Sequence, residues 1–235
     1  MIQRIKKTRF FKHYIRPLLR RNQIPDYSFW KRYYSDGIIT DQKTVSMAKS
    51  LVQIDANYKV LEDAIYSNLH SYMRMVGIRI LDYGTGAGHW VRFYRSLFDP
   101  SLIITIDKYT FAEYQYIEEV SQRRFDIINA VGVMFHILND NELKNIIRTM
   151  SEILNRDGVI IISGQFGHRT ANVQFTKVGK ENRYNKRIRS MRWWRRTLAD
   201  AGLKIDTFIK TKDTSLVRGI ENNLIFVKHK FNVND

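Results

Sequence analysis

Three glycines occupy alternate positions, Gly84, Gly86 and Gly88, directly after Asp82 and a short apolar run, in the stretch "ILDYGTGAGHW". Glycine loses more backbone freedom on folding than any other residue, so such a cluster marks a turn that something approaches closely. With Tyr83 and Thr85 the turn sits between an apolar run and a helical pattern. A strand, a glycine turn and a helix N-terminus present backbone N–H groups to a ligand at the carboxyl edge of a sheet. A second acid, Asp107, ends the next apolar run and is followed by Lys108. An acid there can accept both hydroxyls of an adenosine ribose; the alternative is a helix cap or a solvated strand end. The dinucleotide fingerprint G-x-G-x-x-G would need a third glycine where His89 stands, which disfavours a nicotinamide cofactor.

The elements that must position these residues follow from hydrophobic period. Residues 78–82, 102–107, 125–131 and 159–163 read as strands, and 114–118 as a further one. Two final strands are expected over 203–210 and 223–229. Helices are expected after the glycine turn, over 141–154 with apolar 143, 146, 147, 150, 153 and 154, and from about 190 to 201. Upstream, Thr40 and Asp41 can cap a helix through "TVSMAKSLVQI", and a second helical pattern covers about 57–75. Apolar strands alternating with amphipathic helices predict an α/β fold, a doubly wound, mainly parallel seven-stranded sheet with an N-terminal helical extension. The expected division is a basic arm and helical extension over 1–75 and a cofactor-binding domain over 76–235.

Bulk composition adds a partner class. The formal charge is +16 over 235 residues. Residues 1–22 carry eight Lys/Arg and no acid, and 164–196 carry ten with one acid, Glu181. Removing both from the 39 bases and 23 acids leaves 21 bases against 22 acids, so the excess lies wholly in these two segments. Such segregation suggests a polyanion, either nucleic acid or an anionic membrane surface; the alternative is solvated basic faces. The second segment interleaves Phe166, Phe175, Tyr184, Trp193 and Trp194 with its bases, as single-stranded nucleic acid would require. Trp193 and Trp194 equally fit a helix packed on the sheet. There is no cysteine, which excludes disulfides and thiolate metal sites and fits a reducing compartment; a cytoplasmic location is expected. No apolar run approaches a membrane span, and no His/Asp/Glu cluster has metal spacing.

The motifs together resemble S-adenosylmethionine-dependent methyltransferases of the Rossmann-like class I family. "ILDYGTGAGHW" looks like that family's first motif and "IITID" its second. "FDIINAVGVMFHIL" is similar to the fourth-strand motif, "MSEILNRDGVIIISGQF" to the helix and fifth strand, and "WWRRTLADAGLKI" to a later helix. The resemblance covers about 78–229 in the family's order. It implies S-adenosylmethionine as cofactor, with its methionine end against the glycine turn and Asp82 near its amino group. Asp107 would hold the ribose, and Ala130, Val131 and Gly132 would lie near the methyl group. Phe125 follows Asp107 by only eighteen positions, less than the family's usual helix and strand. That leaves the acid reading the adenine amino group open between Glu118, the first choice, and Glu119.

Methyl transfer from a sulfonium is an in-line displacement, so the protein mainly positions the acceptor and excludes water. A base is needed only for a protonated, weakly nucleophilic acceptor, and His136 is the candidate; its alternative is a histidine bonded to backbone. Carbon-5 pyrimidine methylation and radical chemistry both need cysteine, which the chain lacks. "NAVGVMF" departs from the Asn/Asp-Pro-Pro-aromatic motif of adenine-amino methyltransferases. The expected substrate is an N or O acceptor, with RNA ahead of a small or lipid molecule. Rival readings are a catalytically inactive nucleic-acid-binding subunit and an oxidoreductase.

Overall fold

In the computed structural model the described residues are 23–40, 51–98, 102–164, 166, 170–178, 181–210 and 223–230. The basic arm 1–22 and the capping residue Asp41 lie outside them. Two short elements open the chain, β1 (Ile24–Pro25) and α1 (Phe29–Tyr33). Helix α2 (Leu51–Asn68) follows and stops before a 3₁₀ turn at Tyr72–Arg74, so the helical pattern expected as far as 75 ends earlier.

The central sheet is built from β2 (Ile80–Tyr83), β3 (Ile103–Ile106), β4 (Phe125–Ala130), β5 (Leu154–Gly164), β8 (Leu203–Ile209) and β9 (Asn223–His229). Their spatial order is β3-β2-β4-β5-β9-β8. β3, β2, β4 and β5 are parallel, whereas β9 is antiparallel to both neighbours. The mainly parallel, doubly wound fold is as the sequence predicts, but the sheet has six strands among the described residues. The strand expected over 114–118 is reduced to one bridge, Ile106 to Tyr114, and a 3₁₀ turn over Ile117–Val120. The short span between Asp107 and Phe125 leaves no room for more.

Both faces of the sheet are buried, and alternate residues of each strand serve opposite faces. Ile80, Ile127 and Ile161 pack with Leu61, Ile65 and Leu69 near α2 and with Trp90 and Tyr94 of α3 (His89–Leu97). Leu81, Ile128, Ile160 and Ile162 pack against α4 (Asp140–Ile153) and α5 (Met191–Asp200). Leu143, Ile146, Ile147, Met150 and Ile153 of α4 are buried as their spacing predicts; Leu154 is buried too, but as the first residue of β5. The side-chain oxygen of Asn139 accepts from the amides of Asn141 (2.8 Å) and Glu142 (3.3 Å) and so caps α4. Trp194 lies in the core, as the packing alternative for this helix required.

The basic segment after β5 is not an open loop. It forms a hairpin of β6 (Ala171–Val178) and β7 (Glu181–Ile188), and β1 pairs in parallel with β7 to give a second, three-stranded sheet. Tyr184, expected among the stacking aromatics, is buried at its centre. In the central sheet the chain leaves β2 for β3 on one side and then crosses to β4 on the other. The carboxyl ends of β2 and β4 therefore flank a topological switch point, where α/β sheets bind ligands.

Candidate functional site

The glycine turn begins where β2 ends. Gly84, Gly86 and Gly88 have φ of 81°, 54° and 79°, a region that side chains other than glycine rarely adopt. Gly84 N–H donates to Ile106 O at 2.7 Å and Gly88 N–H to Thr85 O at 2.9 Å, while Thr85 Oγ1 donates to Asp82 O at 3.0 Å. Gly88 caps α3. The sequence reading made the turn bare for a ligand. At Gly84 the structure gives another neighbour, because an added Cβ would lie 2.6 Å from Cβ and Cγ2 of Val133. That glycine makes room for a side chain from the loop after β4. Gly84 and Gly86 still line a cavity of about 560 Å³ at the switch point, whereas Thr85 and Gly88 shape the turn from outside it.

Asp107 lines the same cavity. Its Oδ2 accepts from Gly86 N–H and its Oδ1 from Tyr109 N–H, each at 2.9 Å. A carboxylate has about four acceptor positions, so one on each oxygen remains for a ligand. Lys108 lines the cavity beside Tyr116, with Nζ 5.5 Å from that ring's centroid. The two candidate acids separate cleanly. Glu119 Oε1 accepts from the amides of Tyr116 (2.7 Å) and Gln115 (3.1 Å), which commits it to capping the 3₁₀ turn. Glu118 lines the cavity.

Asp82 does not reach the cavity. It is fully buried behind the turn, where its Oδ1 accepts from Asn129 Nδ2 at 2.7 Å and Asn129 Oδ1 accepts from Tyr94 Oη at 3.1 Å. Its Oδ2 has no protein partner. Burial raises its pKa to about 6 against the bond from Asn129. Ala130 and Val131 are likewise buried and outside the cavity wall. Gly132, at φ 86°, does line it, and its N–H donates to Ser163 Oγ at 2.7 Å. Tyr83 lines it too, its hydroxyl held un-ionised by burial.

His136 stands at the far end, in a 3₁₀ turn over Met134–His136. Its Nδ1 lies 3.3 Å from Asn185 O. A carbonyl only accepts, so Nδ1 carries the proton and Nε2 the lone pair. Burial, followed by the Lys186 charge, lowers its pKa well below the ordinary histidine value, and the ring is neutral. Burial also lowers Lys186, to about 8. Trp30 of α1 meets the His136 ring edge-on at 4.5 Å.

Asp26, Trp30 and Tyr34 complete this wall together with Asn185 of β7. Three ion pairs hold the wall in place. Asp26 receives Arg32 at 2.7 Å, and Asp140 at the start of α4 receives both Arg187 (2.9 Å) and the buried Arg189 (2.8 Å). Residues 26–34 form an aromatic run, "DYSFWKRYY", which the sequence alone gives no means to place beside the site. Asn129 escapes the sequence reading; its signal is a polar residue next to Ile127, Ile128 and Ala130 in the buried half of β4. Asn185 gave no signal.

The family described as "Methyltransferase domain" matches residues 60–207, over half the chain. The chain belongs to this family. Members of its class I fold use S-adenosylmethionine as methyl donor, and the enzyme is a methyltransferase of that kind. Solved structures agree in fold. A methyltransferase from Leishmania major is 15% identical at a TM-score of 0.61, over 86% of this chain and 82% of its own. One from Clostridium acetobutylicum is 16% identical at 0.54, over 77% and 95%. The magnesium protoporphyrin IX methyltransferase of Synechocystis, solved with S-adenosylhomocysteine, is 15% identical at 0.53, over 86% and 93%. No curated protein sequence matches the chain at a significant level. Among the described residues no helix is long and apolar enough to cross a membrane, and no group of acids and histidines could hold a metal ion.

Proposed function

We propose that this methyltransferase acts on a nitrogen or oxygen of a small molecule, within the cytoplasm. One observation carries the reading: a single cavity of about 560 Å³ runs from Gly84, Gly86, Asp107 and Glu118, past Gly132, to His136 under Trp30 and Tyr34. The near end fits the donor. Asp107 retains an acceptor position on each oxygen for the ribose hydroxyls, and Glu118 is placed for the adenine amino group. Tyr83, Gly84 and Gly86 surround the methionine end, with the unpartnered Asp82 oxygen behind them. S-adenosylmethionine supplies a methyl on a positively charged sulfur, which leaves as a neutral thioether when the acceptor's lone pair takes the methyl carbon. The chain's residues orient that acceptor and exclude water. His136 Nε2 takes the acceptor's proton, and its neutral state suits that task.

RNA, ahead in the sequence reading, fits this end less well. Arg183, Arg187 and Arg189 of the basic segment are spent on Glu181 and Asp140, and Lys186 is half-buried. Trp30 and Asn185 line the cavity beside His136. Incubation with isotope-labelled donor and fractionated cell extract tests the choice. Label is expected in the small-molecule fraction. Label in RNA, with activity falling steeply as salt rises, would restore the polyanion reading.

A further inference from the structure

The acceptor end contains two buried polar atoms that the protein leaves unused. Asn185 is 5% exposed, lines the cavity, and its Oδ1 has no hydrogen-bond partner. Trp30 lines the same wall, and its indole Nε1–H is also buried without a partner. Buried polar groups in native structures are nearly always bonded, so each exception calls for an explanation. These two are opposite in kind, because an indole N–H only donates and an amide oxygen only accepts.

They are also neighbours through His136. Trp30 packs edge-on against that ring at 4.5 Å, and the backbone carbonyl of Asn185 receives its Nδ1. Tyr34, stacked on Trp30 at 5.6 Å, and Tyr27 add aromatic surface to the cavity lining, which also holds Asp26. Flat aromatic surfaces with a few fixed polar groups are the mark of a pocket for a ring-shaped ligand.

We infer that Trp30 and Asn185, on either side of His136, form the methyl-acceptor subsite and select a planar small molecule bearing a hydroxyl or N–H group. A lone pair on the ligand accepts from Trp30 Nε1–H, and a ligand hydroxyl or N–H other than the group methylated donates to Asn185 Oδ1, which leaves the proton of the methylated group to His136 Nε2. This rests on the methyltransferase reading and narrows its substrate class. A site built to hydrogen-bond such a group rejects the analogue that lacks it, because its buried partners are then left unpaired.

The test is calorimetry on the full chain saturated with S-adenosylhomocysteine. The probes are 7-hydroxycoumarin, 8-hydroxyquinoline and 5-hydroxyindole, each against its O-methyl ether. At least one hydroxyl compound is expected to bind about tenfold tighter than its ether. Asn185→Leu should erase that preference. Trp30→Phe, which keeps a ring and removes the N–H, should reduce it about threefold. Both variants should keep wild-type affinity for S-adenosylhomocysteine, which also shows that they fold. If no hydroxyl compound beats its ether, or if both variants keep the preference, the inference is overturned. Failure of the wild type to bind S-adenosylhomocysteine would instead sink the methyltransferase reading beneath it.

Discussion

The two ends of the cavity are built on opposite plans. The end proposed for the donor comes from strand ends close in sequence, Tyr83 to Gly86 at the end of β2 and Asp107 after β3, and much of its bonding is main chain. The acceptor end joins residues far apart in sequence, Trp30, His136 and Asn185, through side chains and a second sheet. A shared chemistry can be kept in a continuous turn, whereas a substrate wall assembled from separate segments can change without disturbing it. Variants at the two ends should therefore separate donor binding from acceptor binding.

The largest effect is expected at Asp107. Asp107→Ala removes the acceptor for Gly86 and Tyr109 amides and for the ribose together. Affinity for S-adenosylhomocysteine should fall about hundredfold by calorimetry, roughly 2.7 kcal/mol. Next is Gly84→Ala, which puts a methyl into Val133 at a positive φ. Denaturant unfolding should show a loss of about 2–3 kcal/mol. Adding Val133→Ala should recover about 1 kcal/mol of that, because the clash is relieved and the backbone strain is not. No recovery would mean that Gly84 is glycine for its conformation or a ligand rather than for Val133.

Asp82→Asn should act with opposite signs on stability and binding. The folded pKa of about 6 lies above the unfolded carboxylate value, so the native state holds its proton between the two. Stability falls as pH rises through that window, and the charged form is penalised above it. The amide should be more stable by about 1–2 kcal/mol at pH 7 and equal at pH 3, yet bind the donor more weakly. For His136 the sign reverses. Its folded pKa is depressed below the unfolded histidine value, so the unfolded state takes up the proton first, and stability is lost as pH falls below about 6.5. His136→Asn should flatten that part of the profile, and kcat/KM of the wild type should show no acid limb near pH 6.5. The smallest effect is expected at the partly exposed Arg183–Glu181 pair of the hairpin, where Arg183→Ala should cost under about 0.5 kcal/mol.

What was legible in the sequence follows the same division. The strand, glycine turn and helix around Asp82 and the strand before Asp107 could be read because they are consecutive and carry their own context. Even there, the sequence could not show that Val133 fills the space beside Gly84, or that Asp82 faces Asn129 rather than the cavity. Both depend on strand order, which brings 129–133 beside 82–84. The core of α4 was legible because its period repeats over fourteen residues. The strand expected at 114–118 failed because a short connection overrode its local pattern. The acceptor wall was illegible because it depends on β1 pairing with β7, a contact between residues 24–25 and 183–184. The charge of the basic segment suggested an external polyanion; of its ten bases, Arg183, Arg187 and Arg189 face Glu181 and Asp140 within the chain.

The most direct measurement is calorimetric titration of the wild-type chain with S-adenosylmethionine and, separately, with NAD. The account predicts one site for S-adenosylmethionine, none for NAD, and loss of that site in Asp107→Ala. Preferential binding of NAD, or S-adenosylmethionine binding that Asp107→Ala leaves intact, would contradict it.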